Sequence, residues 1–429
     1  MNATSGYAMT APEAARLLLQ DPALCRVLSL LDGDGEEARL VGGALRNSLL
    51  GRPVVECDIA TTATPETVMK RSATAGLRAI GTGLAHGTVT ILAGGKSFEV
   101  TSLREDIETD GRHAKVRFSR DFAGDARRRD FTMNALSMTR DGTLYDYVGG
   151  LADLAVRRLR FIGDPVARIR EDYLRILRFF RFAADYSEGP LDAAAIHAAM
   201  AERNGLFQLS RERIRNEILK LLAARRAGEI TRIFCETGLF GLVVTVAPHP
   251  VRLENLLRYS GEDPPDPLLR LAALCLNLSE DAQRLRDDLR LSNQEHQRLE
   301  RAADAFLPLH GLDTPPPPQR LLRLLFRHGR GAACDAMALG QAEALPQSAA
   351  KWRDAILFLR GAEEPKLPFS GADIMARGVT NGRAIGAALE DLRQRWIDAG
   401  FPKDPRLLAE LLEAAVRRPE NPAGQDPAD

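Results

Sequence analysis

In the first third of the chain, short apolar runs with strand-like alternation are interleaved with amphipathic stretches. The segments ARLV (38–41), VVECDIA (54–60), GTVTIL (87–92) and FEVT (98–101) predict strands. Between them, ALRNSLLG and TPETVMKRS predict helices, the second opened by Thr64 with Pro65 at its first position. From about residue 164 onward, apolar positions recur every three or four residues and strand signals nearly vanish. The pattern predicts an α+β chain, with an α/β head followed by helices. GEDPPDP (261–267) and TPPPP (314–318) punctuate the helical part. The expected division is a head over 1–150, a helical neck over 151–226, a helical body over 227–313 and a helical tail over 314–429.

Composition narrows the class. A chain of 429 residues exceeds one ordinary core, and about three domains is the expectation. No apolar run reaches membrane-spanning length, and the N-terminus lacks a basic segment followed by an apolar one, so neither a membrane span nor a secretion signal is predicted. Five scattered cysteines with no CxxC pair predict neither a disulfide framework nor a zinc site, which fits a cytoplasmic protein. Basic and acidic residues balance at 58 each, yet arginines cluster at 127–129, 157–160, 168–181 and 211–215. Local patches, not net charge, decide phosphate binding.

The densest chemistry lies at VVECDIATT. In a strand, residues i and i+2 share a face, so Glu56 and Asp58 would point the same way and could share a divalent cation. Gly42 and Gly43 lie where a strand hands over to a helix, where backbone N–H groups can meet a phosphate. Nucleotidyl transfer needs an acceptor hydroxyl deprotonated and phosphate charge neutralised, which a pair of Mg²⁺ ions about 3.5–4 Å apart can do. Without flanking motifs, the two acids would read as solvated residues of an exposed strand. Glu99 in FEVT reads as a polar residue on an edge strand, with a third metal-facing carboxylate as the alternative.

Two further motifs follow. In RRDFTMNA (128–135), Arg128 and Arg129 can contact phosphates and Asp130 can accept from a ribose hydroxyl; bracing of the head against the neck is the alternative for one arginine. In EDYLRILRFFRF (171–182), Asp172, Arg175 and Arg178 are spaced three apart and are expected on one helix face. Cytosine and adenine each present an amino donor beside an acceptor ring nitrogen. Asp172 can accept from the first and Arg175 can donate to the second. Guanine and uracil place a carbonyl against the carboxylate, which costs about 1–3 kcal/mol or more. Arg178 and Arg181 are assigned to the triphosphate or the primer end.

These motifs, in this order, resemble the class II tRNA nucleotidyltransferase/poly(A) polymerase family over roughly the first half of the chain. The resemblance implies a polymerase-β-like nucleotidyltransferase head and template-independent addition of C, C and A to the tRNA 3′ end. It implies CTP and ATP as substrates, Mg²⁺ as cofactor and the tRNA acceptor arm as partner. It implies Glu56 and Asp58 as catalytic metal ligands. It further assigns Gly42, Gly43, Arg46, Arg128, Arg129, Asp130, Asp172, Arg175, Arg178 and Arg181 to the nucleotide. Glu56 and Asn47 stand where the family usually has Asp. The polar loop 101–122, with Gly111 as hinge, resembles the loop used in switching from C to A addition; His113 is read as a loop contact. LSRERIRNEILKLL (209–222) resembles a scaffold helix, with Arg211, Arg213 and Arg215 assigned near RNA phosphates, and 367–392 resembles a tRNA-adding tail segment. The alternatives are a poly(A) polymerase, an A-only-adding enzyme and an inactive RNA-binding relative. AIGTGLAHGTVTIL after the carboxylates favours the tRNA-adding side over the first.

Overall fold

The computed structural model describes residues 7–84, 87–110, 113–261 and 264–417, in two compact units, Met1–Val243 and Val244–Asp429. The first unit carries all ten strands of the described residues: β1 (Tyr7–Thr10), β2 (Ala38–Val41), β3 (Cys57–Thr61), β4 (Arg78–Gly83), β5 (Thr88–Ala93), β6 (Lys96–Ser102), β7 (Arg104–Asp110), β8 (His113–Phe118), β9 (Ser137–Thr139) and β10 (Thr143–Asp146). Eight form one sheet in the order β1-β10-β9-β2-β3-β6-β5-β4, and β7 pairs with β8 apart from it. Adjacent strands run antiparallel except β3 and β6, which are parallel and linked through the helix Pro65–Thr74 and the hairpin β4–β5. That helix begins as the sequence predicts, with Thr64 Oγ1 accepting from the Thr67 N–H and Pro65 following.

Three local expectations are corrected. Strand β3 starts at Cys57, so Glu56 lies just ahead of it rather than within it. FEVT belongs to a seven-residue strand between β3 and β5, in the middle of the sheet and not at its edge. The polar stretch 101–122 is not a plain loop: most of it is the β7–β8 hairpin, whose two strands pair with each other outside the main sheet. Gly111 and the His113 side chain lie outside the described residues.

An aromatic cluster seats the first helices after the sheet. Phe131 packs against Phe161 and Phe182 at centroid distances of 4.9 and 5.2 Å, and Phe161 against Phe179 at 5.8 Å. Phe131 and Phe179 are completely buried, so the helix Leu174–Tyr186 is held directly on the RRDF segment. Phe180 continues the packing to Phe234 at 4.6 Å, so the stretch just after residue 226 belongs to this unit.

The second unit is helical throughout its described residues. The helix Pro318–Glu343 breaks at Gly329, whose φ of +76° an L-residue rarely adopts. Trp352 packs over Gly340, and farther on Trp396, Ile397 and Phe401 form a separate apolar cluster. The proline-rich segments predicted as breaks do separate helices: 261–267 precedes Pro267–Cys275, and 314–318 precedes Pro318–Glu343. No helix among the described residues is long and apolar enough to cross a membrane.

Candidate active site

Asp58 in β3 is paired in register with Glu99 in β6 on one side and Val41 in β2 on the other. Ile59 and Phe98 turn into the core while Asp58 and Glu99 turn out to the same open face; Glu56, just upstream, is also exposed. Partial desolvation pushes the Asp58 carboxyl above the usual range, the Glu99 charge adds to this, Arg129 opposes it and Glu56 adds a smaller push. Asp58 therefore feels the negative charge of both Glu99 and Glu56, which suits a face that takes up positive charge. No group of three His, Cys, Asp or Glu among the described residues is drawn together tightly enough to hold a metal without rearrangement. The oxygen-only donor set nevertheless suits Mg²⁺, which takes one or two protein carboxylates and keeps its waters.

Beside this face lies the glycine turn. Gly42 has φ +70° and caps the helix Gly43–Leu49; a Cβ there would come within 2.9 Å of Arg129 Nη1. The turn thus requires glycine both for its backbone and to let Arg129 cross it. Arg129 donates through Nη2 to Asp125 Oδ2 at 3.1 Å and through Nη1 to the Asn134 carbonyl at 3.4 Å. Arg128 donates to the other Asp125 oxygen at 3.1 Å. Asp125, one helical turn before them, holds both arginines and was not singled out from sequence, although its i,i+3 and i,i+4 spacing is the usual signal.

Four of the predicted residues face inward. Arg46 is buried, donating to Asn134 Oδ1 at 2.5 Å and to Tyr186 Oη at 2.8 Å, with its guanidinium 3.9 Å from the Tyr186 ring centre. Asp130 is buried and accepts from the Phe131 N–H at 2.8 Å, Asn134 Nδ2 at 3.0 Å and Arg178 Nε at 2.8 Å. Burial alone would raise the Asp130 carboxyl, but the Arg178 charge and these hydrogen bonds outweigh it and hold it below the usual range. Arg181 lies 2.9 Å from Glu217. These residues frame the site from behind.

The motif at 171–182 is not one helix. Pro165–Glu171 ends, Asp172 is extended with φ −156° and ψ 106°, and a new helix runs from Leu174 to Tyr186. Asp172 therefore does not share a helix face with Arg175 and Arg178. The reason is local: Asp172 Oδ1 accepts the Leu174 N–H at 3.1 Å, the turn chemistry by which a short carboxylate interrupts a helix. Asp172 pairs with Arg213, whose Nη2 lies 3.1 and 2.8 Å from its two oxygens. Arg213 is thereby turned to a protein partner, as is Arg211, which donates to the Val243 carbonyl at 3.2 Å. Arg175 donates to Glu171 Oε2 at 2.6 Å and to the Arg128 carbonyl at 3.1 Å. The arginine-rich segment 128–130 thus divides its duties: Arg128 anchors Arg175, Arg129 lies across the glycine turn, and Asp130 grips Arg178.

Comparison with known proteins identifies the family. A family model described as the poly A polymerase head domain matches residues 38–160, the span from β2 past the RRD segment. The first unit is therefore built on a nucleotidyltransferase head. The zebrafish (Danio rerio) protein "CCA tRNA nucleotidyltransferase 1, mitochondrial" is 34% identical over 383 residues, covering 84% of this chain and 83% of that protein. The "CCA-adding enzyme" of Levilactobacillus brevis is 31% identical over 404 residues, covering 90% and 96%. The solved structure of the Bacillus stearothermophilus CCA-adding enzyme in complex with CTP is similar with TM-score 0.68 and 27% identity, covering 91% of this chain and 96% of that one. The chain belongs to the CCA tRNA nucleotidyltransferase family.

Proposed function

We propose that this chain completes the 3′ end of tRNA, adding C, C and A from CTP and ATP without a nucleic-acid template and releasing pyrophosphate. It is a nucleotidyltransferase, and its family is divalent-metal dependent. The observation that carries the reading is the single outward carboxylate face of Asp58 and Glu99 beside the Gly42–Arg129 crossing. The acceptor 3′-hydroxyl attacks the α-phosphate; the hydroxyl loses its proton and pyrophosphate departs. Glu56 and Asp58 are the proposed metal ligands, with Glu99 as their neighbour and Mg²⁺ as the ion. When bound, the ion supplies charge neutralisation at phosphate and a more acidic hydroxyl. Glu56 precedes the regular strand, so its extra methylene meets no fixed ladder position.

Arg129 and the Gly42–Gly43 turn are assigned to the triphosphate, with Arg128 alongside. Arg46, Asp130, Arg178 and Arg181 act from the interior by holding the glycine-turn helix and the base-reading helix in place. Asp172 accepts from the exocyclic amino group of cytosine or adenine and Arg175 donates to the adjacent ring nitrogen, which leaves uracil and guanine with opposed acceptors. The second unit is assigned to the acceptor arm, gripped by phosphate contacts and shape. The proposed division follows the motifs: head to about 150, neck to 226, body to 313 and tail beyond. A cytoplasmic setting suits five cysteines that are all free thiols.

Labelled CTP and ATP supplied to tRNAs ending at each successive stage test this reading. Ordered gain of C, C and then A is expected. Addition of A alone, an extended A run, or no incorporation by either the parent or Glu56→Asp would overturn it.

A further inference from the structure

The helix Arg211–Ala223 places Arg213 at its third position, one turn in from the Ser210 cap. From there a single nitrogen, Nη2, reaches both oxygens of Asp172. Oδ1 already accepts the Leu174 N–H, so with Arg213 it has two donors. Oδ2 has Arg213 alone, which leaves it one unfilled acceptor site among the described contacts. The carboxylate is therefore clamped in rotation, and the capacity left to it is one acceptor. An exocyclic amine offers the matching donor.

We infer that Arg213 is a specificity-positioning residue: it fixes the Asp172 carboxylate so that one oriented acceptor confronts the base, instead of serving the RNA backbone. The inference rests on the assignment of Asp172 to base reading. Both side chains are partly open to water, 49% for Arg213 and 36% for Asp172, so the pair contributes little to folding. Its value lies in geometry, where a displacement of about 1 Å can cost about a hundredfold. Asp172 sits between two helices with its backbone held, its N–H donating to the Ile169 carbonyl at 3.2 Å and its carbonyl accepting from the Arg175 N–H at 2.9 Å. What the backbone does not fix is the rotation of the carboxylate, and Arg213 supplies that constraint from another helix.

The test compares Arg213→Ala, Arg213→Lys and Asp172→Ala in the full chain, with kcat and KM measured for all four nucleoside triphosphates on a trimmed tRNA. For Arg213→Ala the preference for CTP over UTP is expected to fall roughly ten- to hundredfold. The loss should come chiefly from a higher KM for CTP and ATP, with KM for tRNA and the melting temperature unchanged. Because one nitrogen makes the contact, Arg213→Lys should restore part of the preference. If Asp172→Ala relaxes the choice while Arg213→Ala keeps the parental ratio, the inference about Arg213 is wrong and base reading by Asp172 stands. If Asp172→Ala leaves the choice intact, the base-reading assignment falls first. A tighter KM for CTP in Arg213→Ala would make the pair a latch, and a higher KM for tRNA alone would make Arg213 a backbone contact; either result overturns the inference.

Discussion

Asp58 and Glu99 occupy facing positions in the parallel ladder between β3 and β6, and the Glu99 charge raises the cost of charging Asp58. A sheet does not gather acids this way for stability, since like charges directly opposite destabilise. Replacing Glu99 with Gln should leave the fold intact and lower nucleotide incorporation about 10- to 100-fold, in the range seen when the neighbours of metal ligands are removed. Steady-state incorporation across a Mg²⁺ titration checks this; unchanged activity at every Mg²⁺ concentration would remove Glu99 from the site.

Asp58 carries a stability cost of known sign. Its carboxyl is raised in the folded chain by burial and by Glu99. The folded state thus binds that proton more tightly than the unfolded state. The stability it contributes is present below the unfolded pKa of about 3.9 and is lost as pH rises through the folded value. Near pH 7 the charge works against folding, so Asp58→Asn should raise the metal-free melting temperature by about 1–2 °C while abolishing incorporation. Calorimetry with and without Mg²⁺ measures it, and Mg²⁺ should reverse the order of the two proteins.

The Asp130–Arg178 pair behaves oppositely. Asp130 is held below the usual carboxylate range, so its contribution is present above about pH 3.9 and fades as pH falls below that value. Breaking it by Arg178→Ala strands a buried carboxylate, at a cost of about 3–5 kcal/mol. Urea unfolding at pH 7 and pH 3 should show a large loss at the first and a smaller one at the second.

How much of this was legible in the chain depends on the length scale of each feature. The strand expected at 87–92, observed as Thr88–Ala93, and the helix opened by Thr64 and Pro65 were readable because alternation and capping are local, and β2 because it is a short run buried throughout. The helix break at Asp172 was hidden because the apolar period of residues 174–182 runs on smoothly from the preceding turn, and only a single carboxylate bond to Leu174 interrupts it. Glu99 looked like an edge residue because strand order is not written in any one strand; the β3–β6 pairing spans about 40 residues of intervening chain. β1, exposed at every position, and the three-residue β9 offered no period to detect. The pairing of Asp172 with Arg213 joins residues 41 apart and could not be inferred from either motif alone.

Two glycines separate site geometry from fold geometry. At Gly150 an added Cβ would meet the Thr132 carbonyl oxygen at 2.2 Å, so Gly150→Ala must move backbone and should cost about 1–3 kcal/mol. At Gly42 the added methyl meets the far end of Arg129 and a φ of +70°, so Gly42→Ala should raise the KM for nucleotide in addition to a backbone-strain cost of about 1–3 kcal/mol. Melting curves are expected to fall for both variants, while the KM for nucleotide rises only for Gly42→Ala.

The central claim is that Asp172, held by Arg213, and Arg175, held by Glu171 and the Arg128 carbonyl, together choose the base. The most direct measurement is the rate of incorporation of each of the four nucleotides into a tRNA lacking its last three residues, for the parent, Asp172→Ala and Arg175→Ala. The account predicts that the parent takes C and A over U and G, and that each variant loses most of that preference while its melting temperature holds. Variants that still prefer C and A as strongly as the parent would contradict it.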